Sequence, residues 1–472
     1  MAFGWITALL VFCVIIALMI FSISKLKIHP FLSILGSALL LALIMGIPLR
    51  NIADVIGKGF SAIFSSIGLV IILGTLIGLL LEKSGAALRL AESVLKWLGK
   101  RHPQLAVMLI GWIVSIPVFC DSGFVIVNPI RKWMSRKSGV SSVTMTVALA
   151  SGLYVAHVFI PPTPGPVAAA GMLGLANNLL LVIIVGVICS IIPLAAAYFL
   201  ANRVGKKVHS SDEEGFEDAG PESAGQNVED VSFSKDKALP SVMMSVLPIL
   251  LPIILMGAGS LVSVLKLEGL AADIFFFLGK PVIALAAGLV CSFPLLGYIV
   301  NENDGKSFSV LNKVTEDALR TAGPIVFITA AGAVLGQVIY DAGFVELIKR
   351  NAGVFSTLGI LFPFLIAAIL KTAQGSSTVA MTTTAGIMGM FSSSESLMSV
   401  LGFTTPLSAA LVVMAIGAGA MTVSHANDSY FWVVTRMGGL SVKDGYKTHT
   451  RATLVMGVVS AIVLYIASLI IL

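Results

Sequence analysis

Four short polar stretches interrupt apolar runs in this chain, and they hold most of the side chains able to bind a ligand or carry a proton. The first is Asp121-Ser122-Gly123, inside SIPVFCDSGFVIVNP at 115–129. An ionisable group in an apolar segment is costly and usually faces a bundle interior or an aqueous cavity. A solvated loop end is the alternative, but apolar residues flank the aspartate on both sides. The second is HVFIPPTPGPVAAAG at 157–171. Pro161, Pro162, Pro164, Gly165 and Pro166, around Thr163, exclude a continuous helix; an external loop is the alternative, but the small residues AAAG that follow permit close helix packing. His157 is either a proton-handling group or a hydrogen-bonded core histidine. The third runs Gln374-Gly375-Ser376-Ser377-Thr378, an amide and a set of hydroxyls on a flexible backbone. It suits either an anion cradle at a helix N-terminus or hydroxyl packing between membrane helices. The fourth is Ser424-His425-Ala426-Asn427-Asp428. On a helix, His425 and Asp428 would share a face and could hold or relay a proton. A capped helix end at the membrane interface, with Asp428 in water beside Phe431 and Trp432, is the competing reading. No metal-binding pattern accompanies any of the four. No Arg or Lys is assigned to either the Asp121 or the Gly375 stretch, so a bound anion would be met by helix dipoles and hydroxyls.

The rest of the chain says what positions these groups. Of 472 residues, 57% are hydrophobic and 11% charged, against about 25% charged in a soluble domain. Apolar runs of spanning length recur at 3–23, 30–48, 59–81, 178–201, 241–264, 281–301, 322–344 and 452–472, which predicts an all-α polytopic membrane protein. No basic residue precedes the first run, so 3–23 reads as a retained span. The net charge of +6 fits basic residues anchoring cytoplasmic loops, not nucleic-acid binding. Cys13, Cys120, Cys189 and Cys291 all lie in apolar runs and read as packing residues, and no cofactor is expected.

Charge also orders the topology. Lys25 and Lys27, the cluster from Lys83 to Arg101, Arg131 to Lys137, Arg203 to Lys207, Lys306 to Arg320 and Arg436 to Arg451 are placed in the cytoplasm by the positive-inside rule. Residues 104–130 then begin and end on one face, broken at Pro117–Gly123, which predicts a re-entrant hairpin. The acidic, Gly- and Ser-rich stretch around 208–240 predicts a disordered cytoplasmic linker. It divides the chain into an N-terminal repeat at 1–202, a linker at 203–240 and a C-terminal repeat at 241–472. Gly74, Gly78 and Gly85 align without a gap on Gly332, Gly336 and Gly343, and this register lays Pro117–Asp121 on Gly375–Val379. After a ten-residue shift, YVAH at 154–157 matches TVSH at 422–425. With the third span running inward and 322–344 outward, the repeats would be inverted. Each would have about five crossings and a hairpin, the second hairpin near 354–390, as in secondary transporters.

Taken together, FCDSGFVIVNP, HVFIPPTPGPVAAAG, QGSSTVA and SHANDSYFW resemble the signatures of the gluconate permease (GntP) family, within the wider ion transporter superfamily. The likeness runs the length of the chain. It implies a proton symporter of the cytoplasmic membrane, usually a dimer, carrying a small carboxylate such as gluconate, D-glycerate or D-serine. The sequence departs from some members at Thr163, where they carry His, and at Cys120, where a bulkier residue is found. Under this resemblance the substrate would sit between the two hairpin tips. Gly123, Pro164, Gly165 and Gln374 would shape the pocket. Gly375, Ser376, Ser377 and Thr378 would hold the carboxylate, and Ser122, Asn427 and Thr163 would read hydroxyls. Asp121 would carry the proton, with His157, His425 and Asp428 as further carriers. Two other readings compete: a sodium-coupled exchanger, and an intramembrane hydrolase pairing Ser376 or Ser377 with His425.

Overall fold

In the computed structural model of the chain, the residues described are 5–98, 102–213, 239–265, 267–299, 307–343, 358–394, 396–426 and 428–471. All regular structure among them is helical, and six helices there are long and apolar enough to cross a membrane. The N-terminal half contributes α1 (Trp5–Ser24), α2 (Pro30–Ile44), α3 (Leu49–Ile63), α4 (Leu69–Lys83), α5 (Ala86–Leu98), α6 (Pro103–Val114), α7 (Cys120–Ser138), α8 (Ser142–Phe159), α9 (Pro164–Met172) and α10 (Leu179–Val204). The C-terminal half contributes α11 (Val242–Val264), α12 (Leu270–Leu278), α13 (Pro281–Ser292), α14 (Ser307–Asp341), α15 (Leu361–Gln374), α16 (Ser377–Met388), α17 (Pro406–Met421), α18 (Ser429–Met437) and α19 (Arg451–Ile471).

The order of elements recurs. A hairpin (α6–α7; α15–α16) precedes a helix broken in two (α8–α9; α17–α18), and a long apolar helix follows (α10; α19). The centre of the molecule is built from α8 and α17. Every residue of α8 is buried, as is α17 from Ser408 to Met421, because both are apolar or small on all sides. Without a hydrophobic force between helices in lipid, such packing relies on close approach. A Cβ on Gly152 would stand 2.0 Å from the Met108 carbonyl, and one on Gly111 would stand 2.7 Å from that of Leu149. The reciprocal glycines therefore let α6 and α8 touch backbone to backbone.

Several spans differ from the sequence expectation. The 59–81 run is the second part of a helical stretch from Leu49 to Lys83, joined by a π-turn at Phe64–Gly68. At its end the chain bends by 68° into α5. α14 starts at Ser307, well before the apolar run at 322, because its charged first turns lower hydropathy without breaking the helix. The hairpin break lies at 115–119, ahead of Gly123, which is an ordinary residue of α7. A Cβ there would meet the Leu153 side chain at 2.6 Å, so Gly123 serves helix packing and does not break the helix. YVAH sits in the last turns of α8, whereas TVSH follows the end of α17. The shifted match therefore pairs a helix with a loop.

Much of the 203–240 linker lies outside the described residues, but its start is docked. Arg131 of α7 is fully buried. Its Nη2 donates to Asp212 Oδ2 at 2.6 Å, Nη1 to Ser142 Oγ at 2.6 Å and Nε to Asn128 Oδ1 at 2.7 Å. Lys132 Nζ donates to Asp212 Oδ1 at 2.8 Å. Glu213 accepts from the Ser141 hydroxyl and the Ser142 amide, and Ser210 donates to the Gly438 carbonyl. These bonds tie the first linker residues to α7, α8 and the end of α18. Burial alone would raise the Asp212 pKa; hydrogen bonds from Lys132 and Arg131, and their charge, hold it below the ordinary carboxylate value. Such a group stabilises the fold above its unfolded pKa and loses that contribution as pH falls through the folded one. Asp212→Ala, which strands a buried guanidinium, should cost roughly 3–5 kcal/mol. The check is the thermal midpoint in detergent, with the gap to the parent closing as pH falls through the Asp212 titration.

Candidate functional site

The first hairpin tip forms because Pro117 cannot continue α6. α7 then starts at Cys120, so Asp121 falls in its first turn, where a carboxylate favours the positive end of the helix dipole. Asp121 is half-buried, and its Oδ1 has no hydrogen-bond partner among the described residues. Its carboxyl lies near Ser429, Asp428 and Lys371. The second tip forms where Gly375, at φ 88°, caps α15 in the left-handed region that glycine adopts without strain. Ser376 then caps α16, its hydroxyl accepting from the Val379 amide at 3.3 Å.

Lys371, in the last turn of α15, is 1% exposed. Its ammonium donates to the Gly375 carbonyl and to Asp428 Oδ2, the latter at 2.6 Å. Asp428 is the N-cap of α18, with Oδ1 accepting from the Tyr430 amide at 3.1 Å and Oδ2 from the Ser424 hydroxyl at 2.5 Å. The chain reaches Ser424 through Val423 at φ 56°, a strained conformation for a β-branched residue. Aromatic rings enclose the pair. Lys371 Nζ stands 5.6 Å from the centre of the Tyr154 ring. Tyr154 lies 5.2 Å from Tyr430, and Tyr430 lies 5.3 Å from His449. His449 Nε2 is 3.1 Å from the Ser424 hydroxyl. The Nδ1 atoms of His157 and His449 are buried without a partner among the described residues. One ammonium, two carboxylates, two tyrosines and two imidazoles thus meet where broken helices from both halves end. Such a set can bind a small anion and hold a proton.

The sequence-predicted residues divide. Asp121, Asp428 and His157 belong to this cluster; Tyr154, whose hydroxyl donates to the Ala420 carbonyl at 3.4 Å, lies near Ser377 and brings the second tip to it. Gly165 packs against Thr378 and Met381, so the proline stretch and the second tip do meet. Thr163 is buried, and its hydroxyl proton goes to the Ile160 carbonyl at 2.6 Å. Pro164 is the first residue of α9, which suits a residue lacking an amide proton. Ser122 lies near the Glu82 carboxylate of α4. Gln374 closes α15, and Asn427 lies outside the described residues. His425 and Asp428 do not share a helical face. Residues 422–426 form no helix, Asp428 is an N-cap outside α18, and His425 Nε2 lies 3.0 Å from the Thr372 carbonyl. Asp428 does cap a helix, but it is 5% exposed beside a fully buried Phe431, so its carboxylate is enclosed by the protein although the next residue, Ser429, is exposed.

The expectation that neither tip carries a cation is overturned by Lys371. The signal was present, since a lone Lys in an apolar run next to QGSS is itself a functional flag. His449 and the two tyrosines gave no local signal. His449 sits in a π-turn, Tyr446–Thr450, within a stretch that reads as a basic loop.

Comparison with known proteins decides what kind of molecule holds this cluster. The model of the GntP family permeases matches residues 7–470. The chain belongs to that family. An uncharacterized permease of Haemophilus influenzae is 34% identical over 90% of this chain and 84% of its own length. The gluconate permease of Zymomonas mobilis is 30% identical over 95% of each chain. In architecture the chain resembles the YdaH transporter of Alcanivorax borkumensis, with a TM-score of 0.61 at 13% identity, over 93% of this chain and 98% of that one. A GntP family permease is a multi-pass membrane transporter and not an enzyme, so the hydrolase reading is set aside. The geometry agrees: the Ser376 oxygen caps its own helix and His425 is turned to Thr372.

The permease core depends on how tightly α4 backs the first tip. A Cβ on Gly78 would stand 2.2 Å from the Pro117 carbonyl, and one on Gly74 would stand 3.2 Å from that of Pro162. Gly78→Val should therefore displace the Asp121 tip and reduce transport at least tenfold, with the protein still inserted. Uptake in cells, normalised to membrane-fraction protein, checks this.

Proposed function

We propose that the protein is a proton symporter of the cytoplasmic membrane that imports gluconate or a related small hydroxy acid. The observation carrying this reading is the meeting of Asp121, Lys371 and Asp428 at broken helix ends from both halves. A site holding one ammonium and two carboxylates rejects a further anion unless a proton comes with it, because like charges at short range cannot all stay ionised. The substrate carboxylate would sit near the Gly375–Thr378 tip. Backbone amides at the start of α16 favour an anion there. Ser122, Asn427 and the Thr163 oxygen remain candidates for reading hydroxyls. Asp121 is the first choice for the proton, with His157, His425 and Asp428 as further carriers. The relative from Zymomonas mobilis, named a gluconate permease, supports gluconate over D-glycerate or D-serine. The recurring order of elements supports two inverted repeats, 1–202 and 241–472, joined by the 203–240 linker, and we place the protein as a homodimer.

In proteoliposomes, Asp121→Asn should abolish accumulation driven by an acid-outside gradient. Robust acid-driven uptake by that variant would remove Asp121 from the role. With the parent protein, unlabelled gluconate should compete with labelled gluconate better than D-glycerate or D-serine does. Uptake that follows a sodium gradient at fixed pH would replace proton coupling with sodium coupling.

A further inference from the structure

The Asp428 carboxylate is held by an ammonium, a hydroxyl and a helix N-terminal amide: Lys371 Nζ at 2.6 Å, Ser424 Oγ at 2.5 Å and Tyr430 N at 3.1 Å. These are the donors a receptor for a free carboxylate would use. The receptor is buried and is filled by one of the protein's own side chains. A buried ion pair is weak evidence for stability, since apolar replacements are often neutral or better, and its best-attested use is as a switch. Lys371 is also tethered to the Gly375 carbonyl. Its charge therefore stays at the tip when its carboxylate partner changes.

We propose that the substrate carboxylate displaces Asp428 from Lys371, and that Asp428 takes up the transported proton as it is displaced. This rests on reading the site as a carboxylate–proton symport site. The exchange balances. Lys371 keeps its protons and charge and trades one carboxylate acceptor for another. One proton from solution ends on an Asp428 oxygen, and no bond in the substrate changes. The other groups facing Asp428 make the proton necessary. They are Asp121 and Cys120 from α7, Tyr154 and His157 from α8, Tyr430 from α18 itself, and His449 with Ser424 from the surrounding turns. Lys371 is the cation among these groups, so a displaced and still ionised Asp428 would face both Asp121 and the substrate with nothing to offset it. Asp121, half-buried and beside the exposed Ser429, is the group through which the proton arrives.

The test uses the purified full-length protein, with gluconate and D-glycerate as probes. In weakly buffered detergent solution, binding by the parent protein should take up about one proton per ligand. Asp428→Asn should still bind, without proton uptake and without pH dependence. In proteoliposomes it should retain gluconate–gluconate exchange and lose accumulation against a gradient. Lys371→Met should weaken binding roughly 10- to 100-fold, as expected for a lost charge-assisted hydrogen bond. Because that variant strands a buried carboxylate at Asp428, Lys371→Met/Asp428→Asn is the control. It should recover the parent's thermal midpoint but not its affinity. Recovery of both would make the pair structural only and overturn the proposal. So would ligand binding by the parent without proton uptake, or parent-like affinity in Lys371→Met. If the parent binds neither probe, the hydroxy-acid symporter reading falls, and this inference falls with it.

Discussion

The ammonium of Lys371 is the constraint around which the site is organised. A charge in the middle of a membrane protein must be met by groups the fold itself supplies, because water is scarce and lipid offers none. In an intact helix each interior carbonyl already accepts an amide proton and offers only its second lone pair. Lys371 finds stronger partners because the chain breaks twice. The break after Gln374 frees the Gly375 carbonyl, and the break after Met421 lets Asp428 cap α18 within reach. Conversely, each break leaves orphan backbone groups that need partners at depth. Ser376 and Asp428 satisfy such amides as caps, and Lys371 satisfies such a carbonyl. Charge and discontinuity therefore sustain each other, and neither would be tolerable alone.

Local sequence reveals the breaks but not what they meet. Pro117, the proline run and Gly375 announce interruptions because their effect on φ and on hydrogen bonding is intrinsic. The spans α1, α10, α11 and α19 follow from hydropathy for the same reason. Lys371 and Asp428 are 57 residues apart, and Tyr154 and Ala420 are 266 apart. Such pairings depend on how helices stack, which no local window records. The linker shows the same limit. Its composition reads as solvated, yet Asp212 and Glu213 find Arg131 and the start of α8. Arg131, taken as a topology marker, is instead fully buried, because its guanidinium spends its donors on Asn128, Ser142, Thr146 and Asp212.

The glycine register between the halves has a physical meaning that sequence alignment alone does not supply. Gly85 and Gly343 both follow a helix end and both adopt positive φ, at 79° and 66°. Gly78 and Gly336 both sit where a Cβ would strike a backbone carbonyl, at 2.2 Å and 2.1 Å. The same two demands, a left-handed cap and a close approach, recur at matching positions. Their partners differ, however. Gly78 backs the Pro117 tip, while Gly336 packs on Gly386 within α16. The local devices repeat and the packing they serve does not.

The same asymmetry governs the electrostatics. The C-terminal half supplies both members of the Lys371–Asp428 pair, with Ser424 and His449 around it. The N-terminal half supplies Asp121, Tyr154 and His157, groups that face the pair but hold none of its charge-assisted bonds. At short range, interaction energies between charges change steeply with separation in a medium less polar than water. A small displacement of α7 against α18 would therefore alter the interaction between Asp121 and Asp428, while leaving the Lys371–Asp428 contact intact. In the proton symport we propose, a site divided this way would link the protonation of its carboxylates to the relative position of the two halves.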